Sequence, residues 1–323
     1  MRFSVALCTY NGAKYLERQL ASIAAQSRMP DELVVCDDRS SDATVDILEA
    51  FARQAAFPVH IHVNLVNLGS TQNFEQAIRR CTGDWIALSD QDDAWAPTKL
   101  ARFAEAIASG ADVGLVICDG WLCGPDLQRT ALRAWPNIPF TTAMQTRFNR
   151  GDGPRLMLRY NVVTGAGAAF RADLRDIVLP IPPSWVHDGW IGFLAAAVAD
   201  ARALPDPLFD YRQHASQQIG IQKLSLWRQI RTAYYRLDRP YFNLLTEGFE
   251  ALAARLGQFP GRLRDSELLT WANDKARHCA VRRDMRGSPR WRRVVDATRE
   301  LAAGRYHRFG LGLKAFAVDV LMR

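Results

Sequence analysis

Three short segments of this 323-residue chain place carboxylates where they could do chemistry: Asp37-Asp38, Asp90-Gln91-Asp92-Asp93, and Asp188 after His187. The first two groups each follow a short apolar run, LVVC and WIALS, of the kind that forms a buried strand. Thr9-Tyr10-Asn11 ends a third such run, RFSVALC. Ligands of an open α/β sheet bind beyond the carboxyl ends of its strands, so all three segments point to one rim. Carboxylates crowded together raise one another's pKa. A divalent cation, or the hydroxyl and ring N–H groups of a ligand, would relieve that repulsion. Asp188 opens a helical pattern, where a carboxylate serves either as an N-terminal cap or as a general base.

Other residues extend the rim. Thr164-Gly165 ends a further apolar run, and glycine there lets a substrate approach the backbone closely. Arg212 and His214 sit two apart in PLFDYRQH and share one strand face. Arginine suits a diphosphate by bidentate bonding, and histidine suits a metal as a third ligand. Trp95 is either a stacking platform for a sugar or a core aromatic. No GxxxxGK-Ser/Thr loop occurs, and no GxGxxG follows the first strand. Without such a loop, a nucleoside diphosphate is commonly held by a hard metal on one or two carboxylates. His60 and His62 alternate in VHIHV, but no cysteine or carboxylate is spaced to complete a zinc site. They are expected to face solvent.

The elements that must carry these residues alternate. Strand-like runs are separated by helical patterns at 14–26, after Asp42 as a cap, at 71–81 and at 97–109, and DVGLVICDG is a fifth strand. That order predicts a Rossmann-like, doubly wound, mostly parallel α/β sheet. Residues 120–160 read as loops. NVVTGAGAAF then reads as a strand, HDGWIGFLAAAVA as a helix and PLFDYRQH as a strand. Helices alone are expected afterwards, at 224–237, 241–256, 263–283 and 290–303.

Composition narrows the classes. With 48% hydrophobic and 23% charged residues, the chain is neither disordered nor collagen-like. Six cysteines without CxxC spacing argue against a zinc knuckle and a disulfide frame. No apolar run reaches the roughly 18–20 residues of a membrane span, and Asn11-Gly12 breaks the opening run too early for a signal peptide. The expectation is a soluble, cytoplasmic protein. Residues 1–220 hold 20 Lys and Arg against 24 Asp and Glu, and residues 221–323 hold 21 against 10. The basic second region also carries Trp227, Tyr234, Tyr235, Trp271, Trp291, Tyr306 and Phe309. Basic aromatic helices serve an anionic membrane surface, a helical or oligomer contact, or nucleic acid. The segment RYHRFGLGLKAFAVDVLMR has the membrane-surface look, weakened by Asp319 and two glycines. No nucleic-acid fold signature is visible, so nucleic acid is not an expected partner.

The chain resembles the family-2 glycosyltransferases of GT-A fold, and within them the rhamnosyltransferase-like group. The resemblance rests on CTYNGAKYLERQLASIAAQS, LVVCDDRSSDATVDIL, NLGSTQNFEQAI, GDWIALSDQDDAWAPTKL, TGAGAAFRADL, HDGW and YRQHASQQIG, spanning residues 3–220. It implies a GT-A domain over 1–220, with a nucleotide-sugar half to about 120 and an acceptor half from about 121. Residues 221–323 form the basic helical C-terminal region. Thr9, Tyr10 and Asn11 would line the base pocket. Asp38 would accept a pyrimidine N3–H, with Asp37 beside it. Asp90 would face the ribose, and Asp92 would bind Mg²⁺ or Mn²⁺, with Asp93 and His214 as further ligands. Asp188 would be the catalytic base. Thr164, Gly165, Trp95, His187 and Arg212 would lie about the donor sugar, acceptor or diphosphate. His187 replaces the Glu common in relatives, and Arg39 stands where most members have Gly.

The implied reaction is inverting, metal-dependent transfer of a sugar, such as rhamnose, from a dTDP or UDP donor. The acceptor would be a saccharide or lipid-linked saccharide of a surface polysaccharide. Such an acceptor would bring the basic region to the cytoplasmic face of the inner membrane. Two other classes stand beside this one: a sugar-nucleotide pyrophosphorylase and a non-catalytic nucleotide-sugar or glycan-binding module. The first should carry a Gly-rich phosphate loop, which TYNGAKYL lacks.

Overall fold

A computed structural model describes residues 1–138, 140–214 and 238–321. The expected helix at 224–237, with Trp227, Tyr234 and Tyr235, and the end of YRQHASQQIG lie outside these residues. Two compact units form, as far as their residues are described: Met1–Gly153 with Val162–Ile221, and Pro154–Asn161 with Gln222–Arg323.

The first unit is one mixed sheet with flanking helices. In chain order its strands are β1 Phe3–Thr9, β2 Glu32–Asp37, β3 Val59–Val63, β4 Trp85–Asp90, β5 Ala94–Trp95, β6 Val113–Cys123, β7 Arg129–Arg133, β8 Ala168–Arg171 and β9 Asp200–Arg212. Their spatial order is β3-β2-β1-β4-β8-β6-β9-β5, with β7 on β6. β3, β2, β1 and β4 run parallel, as do β6 and β9. β8 is antiparallel to both β4 and β6, and the short β5 and β7 are antiparallel to β9 and β6. The expected parallel architecture therefore carries three antiparallel insertions. Every residue of β1 and β2 is buried, because helices cover both faces and the strands need no polar alternation.

The helices are α1 Ala13–Ala24, α2 Thr44–Ala52, α3 Ser70–Arg80, α4 Lys99–Ala108 and α5 His187–Val198. α1 turns Leu16, Leu20 and Ile23 into the core, the i, i+4, i+7 stripe of an amphipathic helix. Asp42 accepts the Thr44 N–H at 3.0 Å, the first residue of α2. His60 and His62 are exposed on β3. The region read as loops contains β7 and several short helical turns, too brief for a periodic signal. All six cysteines are free and buried.

The second unit contains α6 Arg239–Gly257, α7 Leu268–Met285, α8 Arg290–Ala302, α9 Arg305–Phe309 and α10 Leu313–Leu321. Asp238 caps α6 through the Tyr241 N–H at 2.9 Å, with Pro240 in the first turn. Pro154–Asn161 clusters here despite its place in the chain: Arg155 pairs with Asp265 and Glu267 at 2.6 and 2.8 Å. Asp319 is fully buried and receives Arg282 at 2.6 Å, Tyr306 at 2.7 Å and Arg286 at 2.5 Å. Part of the segment RYHRFGLGLKAFAVDVLMR is used in this packing, while Leu311, Leu313 and Leu321 stay exposed. Tyr306 and Phe309 are buried, and Asp319, which weakens the membrane pattern in sequence, is a structural hub.

Candidate active site

Parallel pairing brings the acidic segments together. Thr9 is level with Asp37, and Cys8 with Asp90, so β1, β2 and β4 end on one edge. The Thr9 hydroxyl donates to Asp37 at 2.7 Å, and Ser40 adds its backbone N–H at 2.8 Å and its hydroxyl at 2.6 Å. Asp38 is 2% exposed and accepts from Asn64 Nδ2 and the Leu68 and Gly69 N–H groups at 2.7–2.9 Å. Three donors occupy three of roughly four acceptor positions of a carboxylate. Asp38 thus first holds the loop after β3. Asn11 and Arg39 both take positive φ, 47° and 65°. The turn after Asp38 demands a left-handed residue, the conformation glycine adopts without strain.

Gln91 ties β1 to β4. Its side chain accepts the Tyr10 N–H at 2.8 Å and donates to the Tyr10 carbonyl at 3.0 Å. A Cβ on Gly12 would sit 2.0 Å from the Gln91 side-chain oxygen, so the close approach needs glycine there. Asn73 and Asn64 brace the neighbouring strand ends: Asn73 donates to the Cys36 carbonyl and accepts from Asn64, both at 2.8 Å.

The acidic rim proper is Asp90, Asp92 and Asp93. Burial, then the Asp92 and Asp188 charges, push the Asp90 carboxyl up to about 7. Asp93 is 1% exposed, and its pKa is raised by burial and by Asp92 and Asp90. One Asp93 oxygen accepts the Arg212 N–H at 3.0 Å; the other has no partner among the described residues. Asp92 stands 2.7 Å from His214 Nε2.

Arg212 is buried beneath this rim. Its guanidinium donates to the Asp92 and Pro125 carbonyls and lies 4.4 Å over the Tyr15 ring. Trp95 is buried on β5 with Lys99 Nζ 3.6 Å over its ring. It packs in the core cluster of this unit.

Antiparallel β8 delivers the opposite wall. Its register with β4 runs Trp85↔Arg171 to Ala87↔Ala169, so the preceding turn Gly165–Gly167 arrives beside Asp90. The nearby Ala166 N–H works against the rise in the Asp90 pKa, and the Gly165 N–H bonds Asp188 Oδ2 at 3.1 Å. The half-buried Thr164 supplies the carbonyl that closes the turn, taking the Gly167 N–H at 2.9 Å. Asp188 is in the first turn of α5, where the N-cap is Val186, whose side chain makes no cap hydrogen bond. Asp188 Oδ1 accepts the first-turn Gly189 N–H at 2.5 Å, so the carboxylate also serves the helix start.

His187 is 5% exposed and stacks on Phe74, with ring centroids 3.8 Å apart. Neither ring nitrogen has a partner among the described residues. Burial pushes its pKa down to about 3. The unfolded chain protonates this ring near pH 6.5 and the native chain does not. Stability is therefore whole above about 6.5 and falls as pH drops toward 3. The expected loss between pH 7 and 4.5 is about 2–3 kcal/mol. Urea midpoints at the two pH values should show it, and His187→Gln should remove it. Equal losses in both proteins would show that the ring is not the source.

The donors present suit a divalent cation. Asp92 and His214 supply an oxygen and an imidazole nitrogen 2.7 Å apart, close enough to be adjacent ligands of one ion. No three His, Cys, Asp or Glu side chains converge among the described residues. The remaining positions would fall to phosphate oxygens and water, as is usual for Mg²⁺. Gln91, Asn64, Asn73 and Lys99 were not singled out from sequence, although all but Asn64 lie inside the quoted motifs.

The chain is similar to known glycosyltransferases in sequence and in fold. An uncharacterized glycosyltransferase of Nostoc sp. is 28% identical over 224 residues, 67% of this chain and 66% of that protein. The abequosyltransferase RfbV of Salmonella typhimurium is 33% identical over 139 residues, 42% of this chain and 41% of its own. The chain spans less than two thirds of the length of either relative. S. aureus TarS 1–349 in complex with UDP-GlcNAc superposes with a TM-score of 0.56 at 17% identity, over 99% of this chain and 89% of that one. The mannosyltransferase PcManGT from Pyrobaculum calidifontis, in complex with GDP-Man and Mn²⁺, gives 0.55 at 20% identity, over 99% and 85%. These likenesses show the GT-A fold. Residues 4–174 match the model of glycosyl transferase family 2, and the chain belongs to that family.

Proposed function

We propose that this protein is an inverting glycosyltransferase that takes a sugar from a nucleoside-diphosphate donor to a hydroxyl acceptor. The observation that carries this reading is the facing pair: the carboxylates at the end of β4, and Asp188 held across the Gly165–Gly167 turn. Asp188 receives the acceptor hydroxyl's proton as its oxygen attacks the anomeric carbon from the face opposite the diphosphate. The anomeric C–O bond breaks, and the diphosphate leaves with the electron pair. A divalent cation, when bound, supplies positive charge against the diphosphate oxygens.

Asp92 and His214 would hold that cation, with Asp93 and Arg212 fixing the strand ends behind them. Asp38 has one acceptor position left for a base N–H, and Tyr10 and Asn11 are exposed beside it. The likeness of SDQDDAW to the rhamnosyltransferase-like group makes a dTDP- or UDP-linked 6-deoxyhexose the first donor to test. Calorimetry with UDP-, dTDP- and GDP-sugars, with and without Mn²⁺, tests the reading. Binding of at least one donor, tightened by Mn²⁺, is expected. No binding of any donor would overturn it.

The basic C-terminal region supports a further part of the reading, a lipid-linked acceptor met at an anionic membrane surface. The outward face of α8 carries Trp291, 70% exposed, with Val294 and Val295, flanked by exposed Arg290, Arg292 and Arg299. Arg293, Ala297 and Glu300 form its buried face. An amphipathic helix of this kind seats its aromatic and aliphatic residues at the headgroup level while its cations meet anionic lipid. No helix among the described residues is long and apolar enough to cross a membrane. Cosedimentation with vesicles containing phosphatidylglycerol should be strong at low salt, weaken with added salt, and drop in Trp291→Ser. Equal sedimentation with neutral vesicles, or none at any salt, would remove the membrane from the proposal.

A further inference from the structure

Lys99 is the one charged residue on the buried face of α4, whose other inward residues are Leu100, Phe103, Ala106 and Ile107. Its exposure is 0%. An apolar side chain of similar length would fill the same volume without the cost of burying an ammonium. The ammonium is lodged among three aromatic rings, 3.6 Å from the Trp95 centroid, 5.6 Å from Phe103 and 5.7 Å from Phe209. Burial lowers its pKa to about 8, against the opposing pull of Cys118, Asp93 and Asp90, so it stays charged at neutral pH.

Its hydrogen bond explains the placement. Lys99 Nζ donates to the carbonyl of Ala166, the middle residue of the Gly165–Gly167 turn. The N–H side of the same turn faces the two opposing acids: Gly165 N–H bonds Asp188, and the Ala166 N–H works against the rise in the Asp90 pKa. The peptide groups are thus held between a buried cation on one side and carboxylates on the other. Without the cation, the Ala166 carbonyl would be a buried acceptor with its charge-assisted partner gone. The turn would then be free to reorient the N–H groups that locate Asp188.

We propose that Lys99 is a positioning residue: by gripping the Ala166 carbonyl it fixes the Gly165–Gly167 turn, and through it the geometry of Asp188 against Asp90. The catalytic part of this inference rests on the transferase reading; the structural part does not. Lys99→Met removes the charge and keeps the length, and Lys99→Gln keeps an N–H donor for Ala166.

Amide hydrogen exchange of the peptide spanning residues 163–168, in the full chain without ligand, separates the two parts. Exchange there should quicken at least about tenfold in the Met variant and recover in part in the Gln variant, with β1 and β2 unchanged. In transfer assays the Met variant should lose at least about tenfold in kcat, with donor KM within about threefold of wild type. Unchanged exchange at 163–168 would overturn the proposal whatever the activity. Quickened exchange in an enzyme that transfers no sugar would uphold the positioning role and reject the transferase reading. If the Met variant does not fold, the same comparison of the Gln variant with wild type decides it.

Discussion

Asp188→Asn is expected to lower sugar transfer by at least about 100-fold while leaving nucleotide affinity nearly unchanged. A positioned general base typically contributes about 10²–10⁴-fold, and an amide cannot take the acceptor's proton. The structure makes this variant a clean one. Asp188 is not the N-cap residue of α5, so the helix start rests on it through one first-turn contact. Its oxygens accept from Gly189 N–H at 2.5 Å and Gly165 N–H at 3.1 Å, and an asparagine oxygen can still serve one of them. The expected loss of stability is that of one backbone contact, about 1 kcal/mol. Steady-state kinetics beside a thermal melt decides the matter. A variant that melts early but keeps its specific activity would make Asp188 a structural residue.

Asp92→Asn is the second large effect. Mn²⁺ should tighten nucleoside diphosphate binding to the wild-type protein, and the variant should lose at least about tenfold of that gain. Metal-free affinity should change little, and the fold should survive, because the Asp92 side chain is partly exposed and its backbone carbonyl, which accepts from Arg212, is kept. The His214 ring packs against Tyr15 at 4.8 Å and should keep its place. An undiminished Mn²⁺ effect, reversed by chelator in both proteins alike, would move the metal site elsewhere.

Much of this site is legible in the sequence because it is built from strand ends. β1, β2 and β4 are short apolar runs followed at once by Thr9, Asp37-Asp38 and Asp90, and parallel pairing does the rest. β8 was harder. NVVTGAGAAF reads as one strand, yet only Ala168–Arg171 pairs, and Gly165–Gly167 is a tight turn. Periodicity gives no sign of a strand's direction, and the antiparallel sense of β8 is what swings that turn to Asp90. The two-residue β5 is too short to leave any pattern. Lys99 escaped for a different reason: a lysine opening a helix reads as a solvated residue, and only the aromatic cage shows otherwise. In the C-terminal region packing about Asp319 buries Tyr306 and Phe309, while Leu311, Leu313 and Leu321 and the Trp291 face of α8 stay exposed, a division between buried and exposed side chains that the pattern alone does not give.

The antiparallel insertion of β8 also orders events during synthesis. The half-sheet β3-β2-β1-β4 is complete in the chain by residue 90, yet the edge of β4 has no neighbour until residues 168–171 emerge. Through nearly eighty residues of growth that edge presents unpaired backbone groups, the kind of surface that recruits another strand. β8 closes it and bridges to β6 in the same step. The turn that carries the Asp90 and Asp188 contacts is the lead-in to this strand, so the acidic rim meets its opposite wall only as the centre of the sheet is sealed. Asp188 on α5 and Arg212 and His214 at the end of β9 follow β8 in the chain, so the sheet can be sealed at its centre before the rim receives its last side chains.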